Sequence, residues 1–275
     1  YTIQAGETDS DGISIGANVL ALNSGTIRDA AGNDATITHS PVADNSSYMV
    51  DTTAPSVDNF TLSDTALKAG DNATVTLVFS EAVTSFASGD DITVANGSLD
   101  NMSSSDNITW TGTFTPTANT EDASNTLSLA TSYTDTAGNA GPDNTTANYA
   151  VDTLAPSVDN FTLSDTALKT GDNATVTLVF SEAVASFASG DDITVASGSL
   201  DNMSSSDNIT WTGTFTPTAN TEDASNTLSL ATSYTDTAGN AGPDNTTANY
   251  AVETLAPSVN SVAISSASGV QNSLL

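Results

Sequence analysis

The sequence predicts an all-β fold built from antiparallel sandwiches joined in series, and three observations predict it. The stretch Val50-Asp51-Thr52-Thr53-Ala54-Pro55-Ser56-Val57 returns as Val151-Asp152-Thr153-Leu154-Ala155-Pro156-Ser157-Val158. It returns again as Val252-Glu253-Thr254-Leu255-Ala256-Pro257-Ser258-Val259, 101 residues further on each time. A period that long is a whole domain, longer than one solenoid repeat. Within it, apolar and polar residues alternate in short runs, as half-buried strands require. No helical periodicity of useful length interrupts them.

Taken in order, residues 1–50 share only the ending of this unit. Arg28-Asp29-Ala30-Ala31-Gly32-Asn33 matches Thr134-Asp135-Thr136-Ala137-Gly138-Asn139, so they read as the C-terminal part of a related domain. Residues 51–151 and 152–252 are two copies that differ only at Thr53/Leu154, Ala69/Thr170, Thr84/Ala185 and Asn96/Ser197. Residues 253–275 read as the start of a further domain, with an opening strand near Ser261–Ser266.

In the first copy, Val75, Leu77 and Phe79 alternate with threonines and Val78. Ile108, Trp110, Gly112 and Phe114 alternate with Thr109 to Thr115, and the runs at 127–133 and 147–151 follow the same rule. Shorter runs at 57–62, 92–95 and 98–102 bring the expectation to seven strands, separated by Gly-, Asn- and Asp-rich turns. Seven short strands in about 100 residues predict an immunoglobulin-like sandwich, with the domains in an extended array. Without a disulfide, Trp110, Phe79, Phe114, Leu127 and Tyr133 are the expected core.

Thirty-three acidic residues oppose three basic ones, for a net charge of −30. That balance excludes nucleic acid and anionic membrane as partners. The chain has no cysteine, hence no thiolate metal site. No apolar run is long enough to span a membrane. The single histidine, His39, has no serine–acid partner set around it, so the sequence supports no catalytic reading.

The charge directs attention to the joints. In an up-and-down count of strands, three turns gather at the N-terminal end of each repeat. They bring Asp51, then Glu81 with Asp90 and Asp91, then Asp135 with Asn139. The second copy supplies Asp152, Glu182, Asp191, Asp192, Asp236 and Asn240. Carboxylates meeting without basic partners call for a cation. All-oxygen ligation suits Ca²⁺, whereas Mg²⁺ demands a stricter octahedron and transition metals favour His or Cys. The expected ligands are Asp51, Glu81 and Asp135, and Asp152, Glu182 and Asp236. Asn139, Asn240, Asp90, Asp91, Asp191, Asp192 and the matching turn residue Asp29 are additional candidates. Glu7, Asp9 and Asp11 alternate before Gly12 as in an EF-hand loop, but with no flanking helices and with Asn18 where that loop ends in Glu. They form a separate calcium candidate in a β turn.

The Asp-Thr-x-Ala-Pro joint, Phe-Ser-Glu-Ala-Val, Asp-Asp-Ile-Thr-Val and Asp-Thr-Ala-Gly-Asn together resemble the bacterial Ig-like repeats of very large secreted surface adhesins, RTX-type adhesins among them. The resemblance implies a stalk at the bacterial cell surface, made of neighbouring repeats and stiffened by calcium at the joints. It would project a distal region for cell adhesion, surface attachment or biofilm formation, with any host or surface glycan bound elsewhere in the full protein. Glu253 is the metal candidate at the third joint but departs from the pattern, standing where the other joints have Asp, and its longer arm would either ligate bidentately or displace the ion. Two readings compete with the stalk. One is an Ig-like module that binds glycans or surfaces itself. The other is a subunit of an extracellular filament or surface layer, assembled by strand addition.

Overall fold

The computed structural model describes residues 2–263. The chain divides into two compact units, Tyr1–Thr153 and Leu154–Leu275. The expected opening strand at Ser261–Ser266 lies outside the described residues from position 264 onward.

In the first unit, the residues up to the joint carry four short strands: Thr8–Asp9 (β1), Ile13–Ile15 (β2), Val42–Asn45 (β3) and Val50–Asp51 (β4). β1 pairs antiparallel with β4, and β2 with β3. Ile13, Ile15 and Val42 remain about half exposed, so this part buries little apolar surface.

The first repeat follows with Val57–Leu62 (β5), Ala66–Lys68 (β6), Ala73–Phe79 (β7), Val83–Thr84 (β8) and one helical turn at Ser88–Asp91 (α1). Next come Ile92–Val94 (β9), Gly97–Leu99 (β10), Thr109–Pro116 (β11), Glu121–Asn125 (β12) and Leu127–Leu129 (β13). Thr134–Asp135 (β14), Asn144–Thr145 (β15) and Tyr149–Asp152 (β16) complete it. One sheet runs β10-β11-β7-β5; the other layer contains β12-β16-β6 and β15-β13-β9, and β14 pairs with β8. The two layers enclose one core cluster. This is an immunoglobulin-like β-sandwich, and the second unit repeats it with the same pairings.

Alternation explains the sandwich locally. Val75, Leu77 and Phe79 of β7 are buried, while the intervening Thr74, Thr76 and Val78 are exposed or half-buried. On β11, Thr109, Thr111 and Thr113 face outward and Phe114 is fully buried. Phe79, Phe114, Leu127 and Tyr133 are core residues as expected. Trp110 is only partly buried, its indole edge-on to Phe86 with ring centroids 4.9 Å apart. Gly112 follows the apolar phase because a Cβ there would lie 2.8 Å from Met102 Cγ; a methionine from outside the strand fills that place.

The up-and-down expectation fails at β6. This three-residue strand crosses to the second layer and pairs parallel with β16, Ala66 opposite Ala150 and Lys68 opposite Asp152. Glu121 and Asp122 begin β12. The apolar run at 127–133 breaks after Leu129, yet Tyr133 stays buried and its hydroxyl donates to the Pro142 carbonyl at 2.8 Å.

Candidate metal centre

The joint in the first unit is held from both sides. Thr52 Oγ1 donates to the Glu7 carbonyl at 3.0 Å and accepts the Gly6 N–H at 2.9 Å. Asn139 Nδ2, from the turn after β14, donates to the carbonyls of Asp51 at 3.1 Å and Thr53 at 3.2 Å. The linker therefore has few rotations left before any ion is considered.

The turn that presents Asn139 is built around Asp135, which is almost wholly buried. Its Oδ1 accepts the N–H groups of Ala137, Gly138 and Asn139 at 2.9, 2.7 and 2.9 Å, and its Oδ2 accepts Asn139 Nδ2 at 2.7 Å. Gly138 closes the loop at φ +97°, a conformation L side chains rarely adopt. Burial raises the Asp135 carboxyl, but these hydrogen bonds outweigh it and hold the group below its ordinary value.

Beside this loop stand the ends of two other segments. One carboxylate oxygen each from Asp51, Glu81 and Asp135 lies within 4.8 Å of the others. Asp51 is exposed, Glu81 half-buried and Asp135 buried, so the group opens to solvent on one side. Glu81 is pushed up by burial first, then by the charges of Asp135 and Asp51. The basic residues are engaged elsewhere: Arg28 pairs with Asp34 at 2.6 Å, Lys68 with Asp71 at 2.8 Å and Lys169 with Asp172 at 3.1 Å. The donor set is entirely oxygen and anionic, which fits a hard divalent cation.

In the second unit, Asp236 repeats the turn. It accepts the N–H groups of Gly239 and Asn240 at 2.7 and 2.9 Å and Asn240 Nδ2 at 2.7 Å. Glu182 is again half-buried. Asp152 closes β16, in register with Glu121 and Lys68. Glu253 closes the equivalent strand of the second unit, opposite Glu222 and Lys169.

Apart from Asn139 and Asn240, the other sequence candidates fall outside the three-carboxylate groups. Asp91 serves its own loop, its carboxylate accepting the Ala87 N–H at 2.7 Å and the Ser132 hydroxyl; Asp192 does the same with Ala188 and Ser233. Asp90 and Asp191 sit in the same helical turns. Asn139 and Asn240 present amide N–H groups to the joint and act on it as donors. Glu7 Oε2 accepts the Gln4 N–H at 2.7 Å, and Asp9 Oδ1 accepts the Gly12 N–H at 2.8 Å. With Asp11 they form no three-carboxylate group among the described residues. Asp29 reproduces the Asp135 turn with Ala31 and Asn33, and the Asn33 side chain foremost holds it below its ordinary value.

Sequence reasoning missed the threonine of the joint. Thr153 Oγ1 donates to the Thr117 carbonyl at 2.7 Å and accepts the Thr120 N–H at 3.0 Å, and Thr254 does the same with Thr218 and Thr221. The signal was present, since Thr follows the acidic residue in all three copies of the joint. Each linker begins stitched to the repeat it leaves.

Residues 51–151 and 152–252 each match the bacterial Ig-like domain family. No curated protein matches the sequence. Among solved structures, the Escherichia coli adhesin FdeC is 14% identical, with a TM-score of 0.40, over 81% of this chain and 71% of that one. The I67-I69 fragment of titin is 10% identical, with a TM-score of 0.41, over 73% of this chain and 66% of that one. The D0-D1 domain of intimin is 15% identical, with a TM-score of 0.24, over 70% of this chain and 98% of that one. Among the described residues, no helix is long and apolar enough to cross a membrane.

Proposed function

Because the chain belongs to the bacterial Ig-like domain family, we propose that it is a calcium-stiffened extender segment of a bacterial surface adhesin. The observation that carries this reading is the group Asp51, Glu81 and Asp135, whose carboxylate oxygens lie within 4.8 Å of one another. Asp51 belongs to the linker, while Glu81 and Asp135 belong to the repeat. One ion bound by all three would fix a repeat to its linker.

Calcium fits this donor set because it accepts six to eight oxygens at irregular angles, and waters complete its shell at an exposed site. It would offset the charges of Asp135 and Asp51, which add to burial in pushing Glu81 up. Asp152, Glu182 and Asp236 repeat the same residue types at the next joint. A stalk of this kind works outside the cell, contacts its neighbouring repeats and leaves target binding to another part of the protein. It needs no catalytic residue, and the matched family indicates no catalytic class.

The test is small-angle scattering of the chain in calcium and then in excess EGTA. A longer maximum dimension in calcium, lost on chelation and absent from a Glu81→Gln/Glu182→Gln variant, supports the stiffened stalk. An unchanged profile refutes it and turns attention to direct glycan binding or to strand-addition assembly.

A further inference from the structure

We propose that Asn96-Gly97 is a fold-gated deamidation site. It is shielded while the first repeat is folded, and it converts to aspartate or isoaspartate when that repeat opens, which marks the repeat irreversibly. Asn96 is the one asparagine of the chain followed by glycine, and the second repeat has Ser197-Gly198 in its place.

The reaction needs only water. The Gly97 backbone nitrogen gives its proton to a solvent base and attacks Asn96 Cγ. The Cγ–Nδ2 bond breaks, and the amide nitrogen leaves as ammonia with a proton returned by solvent, closing a cyclic succinimide. Water then opens the ring at either carbonyl, leaving aspartate or isoaspartate. No electrons are exchanged, since one water enters and one ammonia departs. Glycine favours ring closure because no Cβ obstructs the attacking nitrogen and its backbone turns freely.

The folded repeat holds both partners of this reaction. Asn96 Nδ2 donates to Asp122 Oδ2 and to Asn125 Oδ1, both at 2.7 Å, so the leaving amide is anchored twice. The Asn96 carbonyl accepts the Thr117 N–H at 2.9 Å, and Gly97 begins β10 opposite Pro116. Bringing Cγ against the Gly97 nitrogen means releasing these contacts. The fold also favours this dipeptide. Asn96 sits at φ +47°, where asparagine is at ease, and a Cβ on Gly97 would lie 2.2 Å from Phe114 Cζ.

Conversion damages the same contacts. A carboxylate at position 96 has no hydrogen to donate, so it would face Asp122 Oδ2 and Asn125 Oδ1 as acceptor against acceptor. Isoaspartate adds a backbone carbon immediately before β10 and disturbs its register with β11.

The site depends on neither calcium nor the stalk reading. The experiment incubates the full chain at mildly alkaline pH, folded in buffer and unfolded in guanidinium chloride, with peptide mass mapping over time. Asn96 should gain the mass of an amide-to-acid exchange at least about tenfold faster in the unfolded chain, because the folded repeat must first open. Equal rates overturn the proposal. After refolding, the converted chain should show a lower first-repeat transition and an unchanged second one. Failure of the first repeat to refold counts as the same loss, with chain unfolded at mildly acidic pH, where the attack is suppressed, as the refolding control. An unchanged first transition in chain whose conversion is confirmed by mass overturns the proposal as well. Ser197→Asn builds the same dipeptide in the second repeat and should create a second site that converts only on unfolding; conversion there in the folded chain counts against the shielding.

Discussion

Replacing Ser197 with asparagine should stabilise the second repeat by about 1–2 kcal/mol. In the first repeat, Asn96 Nδ2 donates to Asp122 Oδ2 and to Asn125 Oδ1, both at 2.7 Å. Asn125 in turn bridges the bulge between β12 and β16, donating to the carbonyls of Asp122 at 2.9 Å and Tyr149 at 3.2 Å. The second repeat has the same Asn226 at 3% exposure, but Ser197 reaches only Asp223, at 3.1 Å. Asn226 Oδ1 is left without a protein donor. A buried acceptor without a partner costs about 1–3 kcal/mol, and ordering the longer asparagine side chain offsets part of the gain. Asparagine also suits the backbone there, at φ +50° for Ser197. For a domain of this size the gain corresponds to roughly 5–10 °C in Tm. Calorimetric melting of the full chain, of Ser197→Asn and of Asn96→Ser would read it. The first substitution should raise the transition of the second repeat, and the second should lower that of the first repeat. A neutral or destabilising Ser197→Asn refutes the reasoning.

Further outcomes follow from the same geometry. Glu81 is raised above its ordinary value of 4.5, so the folded state binds its proton more tightly than the unfolded chain. Stability is lost as pH rises from that value through the folded one, and the cost persists at neutral pH. Glu81→Gln should therefore raise the EGTA melting temperature at pH 7, and a lower one would contradict the assignment. Tyr133, Tyr149, Tyr234 and Tyr250 are pushed up to about 12, chiefly by burial. Ultraviolet titration should show their ionisation delayed beyond the ordinary value of 10, with stability falling as pH rises from 10 through 12; ionisation of these four phenols near 10 would count against their burial. Gly138→Ala should cost about 1 kcal/mol or more by denaturant melting, because its φ of +97° is closed to alanine without strain.

How much of this was legible depended on whether the signal was local. Val75, Leu77 and Phe79 announced a strand because their period is two and their neighbours are threonine. The joint was legible because its octapeptide recurs. β6 was not, since Ala66-Leu67-Lys68 is too short to show a period and its partner lies more than 80 residues away. Asn125 sits in Glu-Asp-Ala-Ser-Asn, which reads as a turn, and only the bulge makes it a buried bridge. At the candidate centre, sequence expected Asp51, Glu81 and Asp135 to gather at the N-terminal end of the repeat, and the distances between them are a property of the topology. Asp91 was only an additional candidate in the sequence, and its carboxylate turns back onto its own loop.

The most direct test of the account is a calcium titration by calorimetry, run on the intact chain and on Glu81→Gln. This substitution removes one charge from the group and leaves the Asp135 turn untouched, so it reports on ligation with the loop fold preserved. The account predicts saturable binding to the intact chain and a clear loss of sites or affinity in the variant. Absence of saturable heat, or identical isotherms for the two proteins, would contradict it.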